Sequence, residues 1–266
     1  MLKKEEQDMD KPNYDLSNFQ NSFEKVKGRI HVLERSVPVE VQMEYFRASK
    51  RMRRTRDENN RASDEECEQW YAELCGTADT FLPLSIEERR QLLLQLANSR
   101  NPKAFKCLKQ YVENDSDPAT LDWAYLALMD IQIALESELS EEKQIYIATG
   151  LGGKGEKLRF YVLMVSKGRK PFEEYQRNII EREFGYYFPK VDCEIEELHI
   201  SVDYVELLLL MPIRSNIQQI LTKIIIDCNE YGDFLSTVYT ITNVEKFTQA
   251  EIEEVLERHE NLETGD

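Results

Sequence analysis

Two hydrophobic periods divide the chain. Between Pro38 and Ser140 apolar residues recur at three- and four-residue spacing, and beyond Ser140 they alternate or fill both faces of short runs. In the first stretch, Pro38 suits a first helical turn, and Val41, Tyr45, Ala48 and Met52 follow it. Ser63 with Glu66, and Ser85 with Glu88, have capping-box spacing and predict two more helix starts. The first of these carries Trp70, Tyr71 and Leu74 and stops at Gly76; the second carries Leu92, Leu93 and Leu96. Asn101-Pro102 opens a helix with the stripe Ala104, Phe105, Leu108, Tyr111 and Val112. Asp117-Pro118 opens one that is apolar almost all round, from Leu121 and Trp123 through Met129, Ile131 and Leu135, which predicts a central helix. These last two have the size of an α-solenoid pair, but one pair makes no repeat, and an ordinary bundle accounts for them.

In the second stretch, residues 144–149 read as a short strand, 150–155 as a loop, and 158–166 as a strand apolar on both faces. A helix from Pro171 is expected to bury Phe172, Tyr175, Ile179 and Phe184. Residues 192–200 form a charged, alternating strand of the kind found at sheet edges, and 204–211 another strand apolar on both faces. After Pro212 a helix carries Ile217, Ile220, Leu221, Ile224, Ile225, Cys228 and Tyr231 and ends at Gly232. A Thr-rich strand over 235–243 and a helix from Thr248, capped by Glu251, complete the pattern.

The fold class is therefore an α-helical N-terminal region followed by an α+β domain. From Leu158 to Asn243 the order is β-α-β-β-α-β, the split βαβ of ferredoxin-like domains. The two strands that are central in that fold are the two apolar ones here, and its edge strands are the polar ones. The strand at 144–149 should form a hairpin with 158–166, yet both neighbours of that strand are taken, so it must sit at an edge or displace the last strand. Boundaries follow: a polar, disordered tail over 1–20, a helical domain over 21–139, the α+β domain over 140–260, and a frayed tail over 261–266.

Charge and cysteine content narrow the setting. The 266 residues carry 34 Lys and Arg against 50 Asp and Glu, a net −16, most of it in residues 140–266. Such a field disfavours nucleic acid and anionic membranes and suits solubility or a basic partner. Cys67, Cys75, Cys107, Cys193 and Cys228 are odd in number and lack a CxxC pair, which reads as reduced thiols in a cytoplasmic protein. Met1-Leu-Lys-Lys-Glu-Glu has no apolar segment behind it, so no signal peptide is expected. The apolar run Val205–Met211 is too short for a membrane span.

Three features bear on chemistry. Gly150-Leu-Gly-Gly-Lys-Gly155 matches G-x-G-x-x-G, and Lys154 with Lys157 or Arg159 could hold an anion over Gly150, Gly152, Gly153 and Gly155. A strand rather than a helix follows, so the dinucleotide-binding context is absent, and a hairpin loop requiring positive φ explains the same glycines. Second, Arg47, Lys50, Arg51, Arg53, Arg54 and Arg56 form a basic run, of which Arg47, Lys50, Arg51 and Arg54 share a helix face. That face suits an acidic partner or phosphates, or is simply solvated. Third, alternation places Cys193, Glu197 and His199 on one face of their strand and Glu194 and Glu196 on the other. A solvated edge strand explains these better than a metal site.

No catalytic motif, metal set or cofactor fingerprint is complete, so no cofactor and no metal are expected. The reading is a non-enzymatic protein–protein interaction or adaptor protein, with homo-oligomers open to the α+β domain. The alternatives are a sensor or enzyme taking a small anionic ligand at Gly150–Gly155, and RNA or ribosome association through Arg47–Arg56.

Overall fold

The computed structural model describes residues 28–55, 61–76, 84–114, 118–140 and 144–264. The tail expected at 1–20 lies outside these residues. The protein is mixed α+β, with eight α-helices among the described residues and a curled antiparallel sheet. It divides into two compact units, one comprising residues 27–160 with 243–246, the other centred on 161–242 with 247–266.

The first unit contains β1 (Arg29–Val32), α1 (Val39–Thr55), α2 (Asp64–Leu74), α3 (Ile86–Ala97), α4 (Pro102–Asn114), α5 (Leu121–Leu139), β2 (Gln144–Ile147) and β3 (Gly153–Lys154). Helices α2 and α3 begin in reciprocal caps. Glu66 N–H donates to Ser63 Oγ at 3.1 Å while Ser63 N–H donates to the Glu66 carboxylate at 2.7 Å, and Ser85 and Glu88 repeat the arrangement. Helix α5, read as apolar all round, packs on α1, α3, α4 and β2. Its Trp123, Leu126, Ala127, Met129 and Ile131 join Tyr45, Leu93, Leu96, Leu108 and Tyr111 in one buried cluster.

Residues 144–147 do not form the expected hairpin with the following long strand. Strand β2 pairs in parallel with β1, with Ile30 opposite Ile145 and Val32 opposite Ile147. The sequence predicts no strand at 29–32, so the partner that draws β2 away from β4 is not legible there. The hairpin is made instead by the two-residue β3 with the start of β4 (Lys157–Ser166).

The second unit takes β4 from Tyr161 onward, a short 3₁₀ turn at Lys167–Arg169, α6 (Glu174–Lys190), β5 (Glu194–Ile200), β6 (Tyr204–Pro212), α7 (Ile217–Asn229), β7 (Leu235–Thr242) and α8 (Gln249–Thr264). The tail expected at 261–266 thus starts inside α8, and its last two residues are not among those described. Strand β6 lies between β4 and β5, and β7 pairs with β4 over Tyr161–Ser166. The interior strands are thus the two with apolar residues on both faces: β4 buries Leu158 and Phe160–Ser166, and β6 buries Val205 and Leu207–Met211. Register shifts at Met164/Ser166 and Ile195/Glu197 add to the twist of the sheet.

Helices α6 and α7 pack on each other and on β5 and β7. Helix α8 covers the opposite sheet face. His259 Nε2 lies 3.5 Å from Thr240 Oγ1, and Phe247, just before α8, meets Tyr161 edge-on at 5.2 Å. Tyr175 and Tyr231, expected among the buried residues, are 47% and 51% exposed. Tyr231 follows the end of α7 and so escapes its buried stripe, and Tyr175 sits in the first turn of α6, on its outer side. Among the described residues no helix is long and apolar enough to cross a membrane.

Candidate functional site

The glycine loop links β2 to β4 and holds β3 within it, and each glycine has a local reason. A Cβ on Gly150 would overlap the Val244 carbonyl, and one on Gly153 would overlap the Lys157 carbonyl. Gly152 (φ +69°) has Arg35 O within 2.6 Å of where a Cβ would stand. Gly155 (φ +60°) and Glu156 form the two-residue turn between β3 and β4; Glu156 keeps a negative φ, so glycine occupies the one left-handed position. Three of the loop's N–H groups are already engaged. Leu151 N–H donates to Asn243 O (3.0 Å), Gly152 N–H to Thr149 O (3.2 Å), and Gly155 N–H to the Glu34 carboxylate (3.2 Å). Arg159 donates through Nη1 to Leu151 O at 2.6 Å. A phosphate arriving here would compete with a carboxylate already held by the loop, and Arg159 is spent on a carbonyl. Lys154 lies in β3 with an exposed side chain.

Helix α1 divides its residues between two environments. One side enters the bundle: Tyr45 and Ser49 are buried, and Tyr45 Oη (3.2 Å) and Ser49 Oγ (2.8 Å) both donate to Asp130 of α5. Arg53 completes this row. It forms an ion pair through Nη2 with the same carboxylate and donates from Nε to Asn98 Oδ1 at 2.8 Å. Burial, first, and the adjacent Asp130 carboxylate hold the Tyr45 phenol well above its ordinary pKa, so it is a neutral donor. The spacing of Tyr45, Ser49 and Arg53 is i, i+4, i+8, one helix stripe. Helical spacing sets Arg53 apart from the face shared by Arg47, Lys50, Arg51 and Arg54 but does not by itself name its partner. The available signal was its period with Tyr45 and a lone aspartate, Asp130, inside the apolar helix α5.

The other side of α1 faces solvent. Arg47, Lys50, Arg51 and Arg54 are all exposed, and none has an ion-pair or hydrogen-bond partner among the described residues. Met43 and Phe46, 48% and 38% exposed, lie on the same side. Several cations elsewhere in the unit are neutralised locally: Arg35 by Asp122, Arg61 by Glu138, Arg90 by Glu44 and Lys103 by Glu68. The structure therefore brings together the four cations named from sequence and adds an apolar pair to them.

The β5 group is rearranged by its bulge. Pairing runs Ile195 with Leu209, then Glu197 with Leu208, so Glu196 is the inserted residue of the bulge. The extra residue resets the alternation. Glu194, Glu197 and His199 share one face, opposite Leu210, Leu208 and Glu206, while Ile195 and Leu198 share the other. The expected division, with Glu194 opposite in face to Glu197 and His199, is corrected accordingly. Next to His199, Glu206 accepts a 2.6 Å hydrogen bond from Tyr161 Oη. No group of three or more His, Cys, Asp or Glu side chains among the described residues is placed to hold a metal. Cys67, Cys107, Cys193 and Cys228 are buried thiols, and burial pushes the Cys67 thiol up to about 11 and that of Cys228 to about 12.

No family model and no curated protein matches the chain. Among solved structures it is similar to a protein from Deinococcus radiodurans described as a "putative transposase", at 20% identity and a TM-score of 0.34, over 40% of this chain and 95% of that one.

Proposed function

We propose that this chain is a non-enzymatic interaction protein whose docking face is the solvent side of α1. The carrying observation is that Arg47, Lys50, Arg51 and Arg54 stand exposed and without described partners on a chain of net charge −16, while Arg53 between them is bound to Asp130. An acidic protein surface complements those charges. The exposed Met43 and Phe46 favour a protein over a phosphate backbone, which needs no apolar contact. We infer further that β4–α6–β5–β6–α7–β7 is a ferredoxin-like unit, a reading supported by the strand order β7–β4–β6–β5. The buried thiols support a reducing, cytoplasmic setting.

The test is recovery of partners from the native host on the tagged protein and on Arg51→Glu/Arg54→Glu. Both substitutions are at exposed positions, so folding should be unaffected, within about 0.5 kcal/mol each. A protein recovered by the unchanged chain, resistant to nuclease and lost with the double reversal, is the expected result. Equal recovery on both proteins would sink the α1 face, and recovery of nucleic acid alone would replace an acidic protein with phosphates.

A further inference from the structure

We infer that the partner of the α1 face is an acidic α-helix lying antiparallel along α1; the inference rests on the reading of that face as a docking surface. Met43, Phe46, Arg47, Lys50, Arg51 and Arg54 are spaced three, one, three, one and three residues apart, and all are exposed. That spacing makes one row of neighbouring side chains, the pattern by which helices meet one another. The row rises about 16 Å from Met43 to Arg54. Its cations stand in three tiers one turn apart: Arg47, then Lys50 with Arg51, then Arg54. Carboxylates on a second helix recur at the same interval of about 5.4 Å and stay in step with all three tiers. Alternate side chains of an extended strand recur at about 6.6 Å and fall out of step over the same length.

The face also changes character along its length. Glu40 is exposed in the first turn, and Glu44, one turn on, is taken by Arg90. Met43 and Phe46 stand beside them, and from Arg47 to Arg54 the sequence has no acid. Acids at the start and bases at the end are what the helix dipole favours in any helix. A partner helix built the same way meets α1 with opposite charges only when the two run antiparallel. Its acidic first turns then lie on Arg54, Arg51 and Arg47, the apolar residues after them on Phe46 and Met43, and its basic last turn on Glu40. The two helix dipoles also oppose each other in that order. A second copy of α1 does not serve. Laid antiparallel on itself, the row would offer its four cations only Glu40 and a Glu44 already held by Arg90. The carboxylates must therefore come from a different, acidic helix.

Fluorescence anisotropy with synthetic helices tests this on the full chain at about 0.15 M salt, where charges more than about 8 Å apart are largely screened. The first probe is a peptide of about sixteen residues with Glu at i, i+3, i+4 and i+7, Leu at i+8 and i+11 and Lys at i+14, held helical by a staple on its other face. The second carries the same residues and staple in reverse order. The third is unstapled, with prolines in its interior that forbid a helix. The first probe should bind. Its affinity should fall about tenfold or more on Arg51→Glu/Arg54→Glu, and about threefold or more on Met43→Ser/Phe46→Ser, with circular dichroism confirming that both variants stay folded. The reversed probe should bind about fivefold more weakly or worse, and the proline probe more weakly still. A proline probe that binds as tightly as the first would reduce the face to a charged patch, and a reversed probe that does so would overturn the antiparallel order. No binding of the first probe would overturn the helical partner. If that probe fails while recovery of a host protein still depends on Arg51 and Arg54, the helical partner is refuted and the docking face stands; if neither depends on them, both fall.

Discussion

Replacing Asp130 tests the buried carboxylate that ties α1 to α5. Its side chain is 9% exposed and accepts from Tyr45, Ser49 and Arg53. With Asp130→Ala the Arg53 guanidinium, 56% exposed, can return to water, and Ser49 can turn to Asn98 Oδ1, 3.4 Å away. The Tyr45 hydroxyl cannot return to water, since Tyr45 is fully buried, and the Ser49 hydroxyl beside it is a poor substitute for the carboxylate. A stranded buried hydroxyl costs about 1–3 kcal/mol, and the lost charged hydrogen bonds add about 1.5 kcal/mol or more. The expected loss is therefore about 3–4 kcal/mol, below the upper range for broken buried ion pairs because Arg53 is half in water. Tyr45→Phe alone should cost about 1 kcal/mol, leaving Asp130 with two donors. In Tyr45→Phe/Asp130→Ala no hydroxyl is stranded, so the double change should cost about 1–2 kcal/mol less than the sum of the singles. Urea denaturation followed by tryptophan fluorescence reads this unit alone, because Trp70 and Trp123 both lie in it. A loss under about 1 kcal/mol for Asp130→Ala, or strict additivity in the cycle, would refute the network as a structural tie.

Other predictions concern glycines and titration. Gly185→Ala should stabilise the protein by about 0.5–1 kcal/mol in chemical denaturation, since the position is helical and its Cβ meets open space; destabilisation would show that this space is filled. Gly155→Ala should cost about 1–2 kcal/mol through its left-handed φ alone, whereas Gly150→Ala, whose Cβ would overlap Val244, should cost distinctly more; thermal melts that rank them the other way contradict the close approach. Burial raises the folded-state pKa of Cys67, Cys228 and Tyr45, so the stability they contribute is complete below pH 9 and declines as pH rises through 9 to 12. Denaturation midpoints flat across that range would rule this out. The same burial predicts that the native protein leaves Cys67, Cys107, Cys193 and Cys228 unreactive to a thiol reagent at pH 8, with all becoming reactive on unfolding.

Local signals carried much of the fold. Capping boxes at Ser63 and Ser85 depend on residues three apart, and the structure forms both. Two-sided apolar runs marked β4 and β6 as interior because a strand covered on both faces has no polar side to show. What failed was what depends on distant partners or on one extra residue. Strand β1 is four residues long, and only its pairing with β2, more than a hundred residues away, gives it meaning. The bulge at Glu196 is invisible to a strict period of two, although Ile195 and Leu198, three apart and both directed to the covered face, needed such a reset.

Helix α1 shows how far composition can mislead about a site. By composition alone six cations within ten residues look like one surface, yet helical spacing separates Arg53 from Arg47, Lys50, Arg51 and Arg54, and the structure seats Arg53 against the bundle and those four in solvent, Arg56 lying outside the described residues. Arg53 sits i+4 from Ser49 and i+8 from Tyr45, so the geometry that buries Tyr45 aims Arg53 at Asp130. Helix rotation then fixes where Arg47, Lys50, Arg51 and Arg54 stand, with no freedom to turn inward without removing Tyr45 from the core. The cost of neutralising Asp130 therefore also orients the exposed cations. A variant that breaks the tie while leaving those four cations intact, such as Asp130→Asn, should weaken binding at the α1 face as well as stability. Binding unchanged in that variant would mean that the exposed charges act without a fixed orientation, as a diffuse field rather than a docking face.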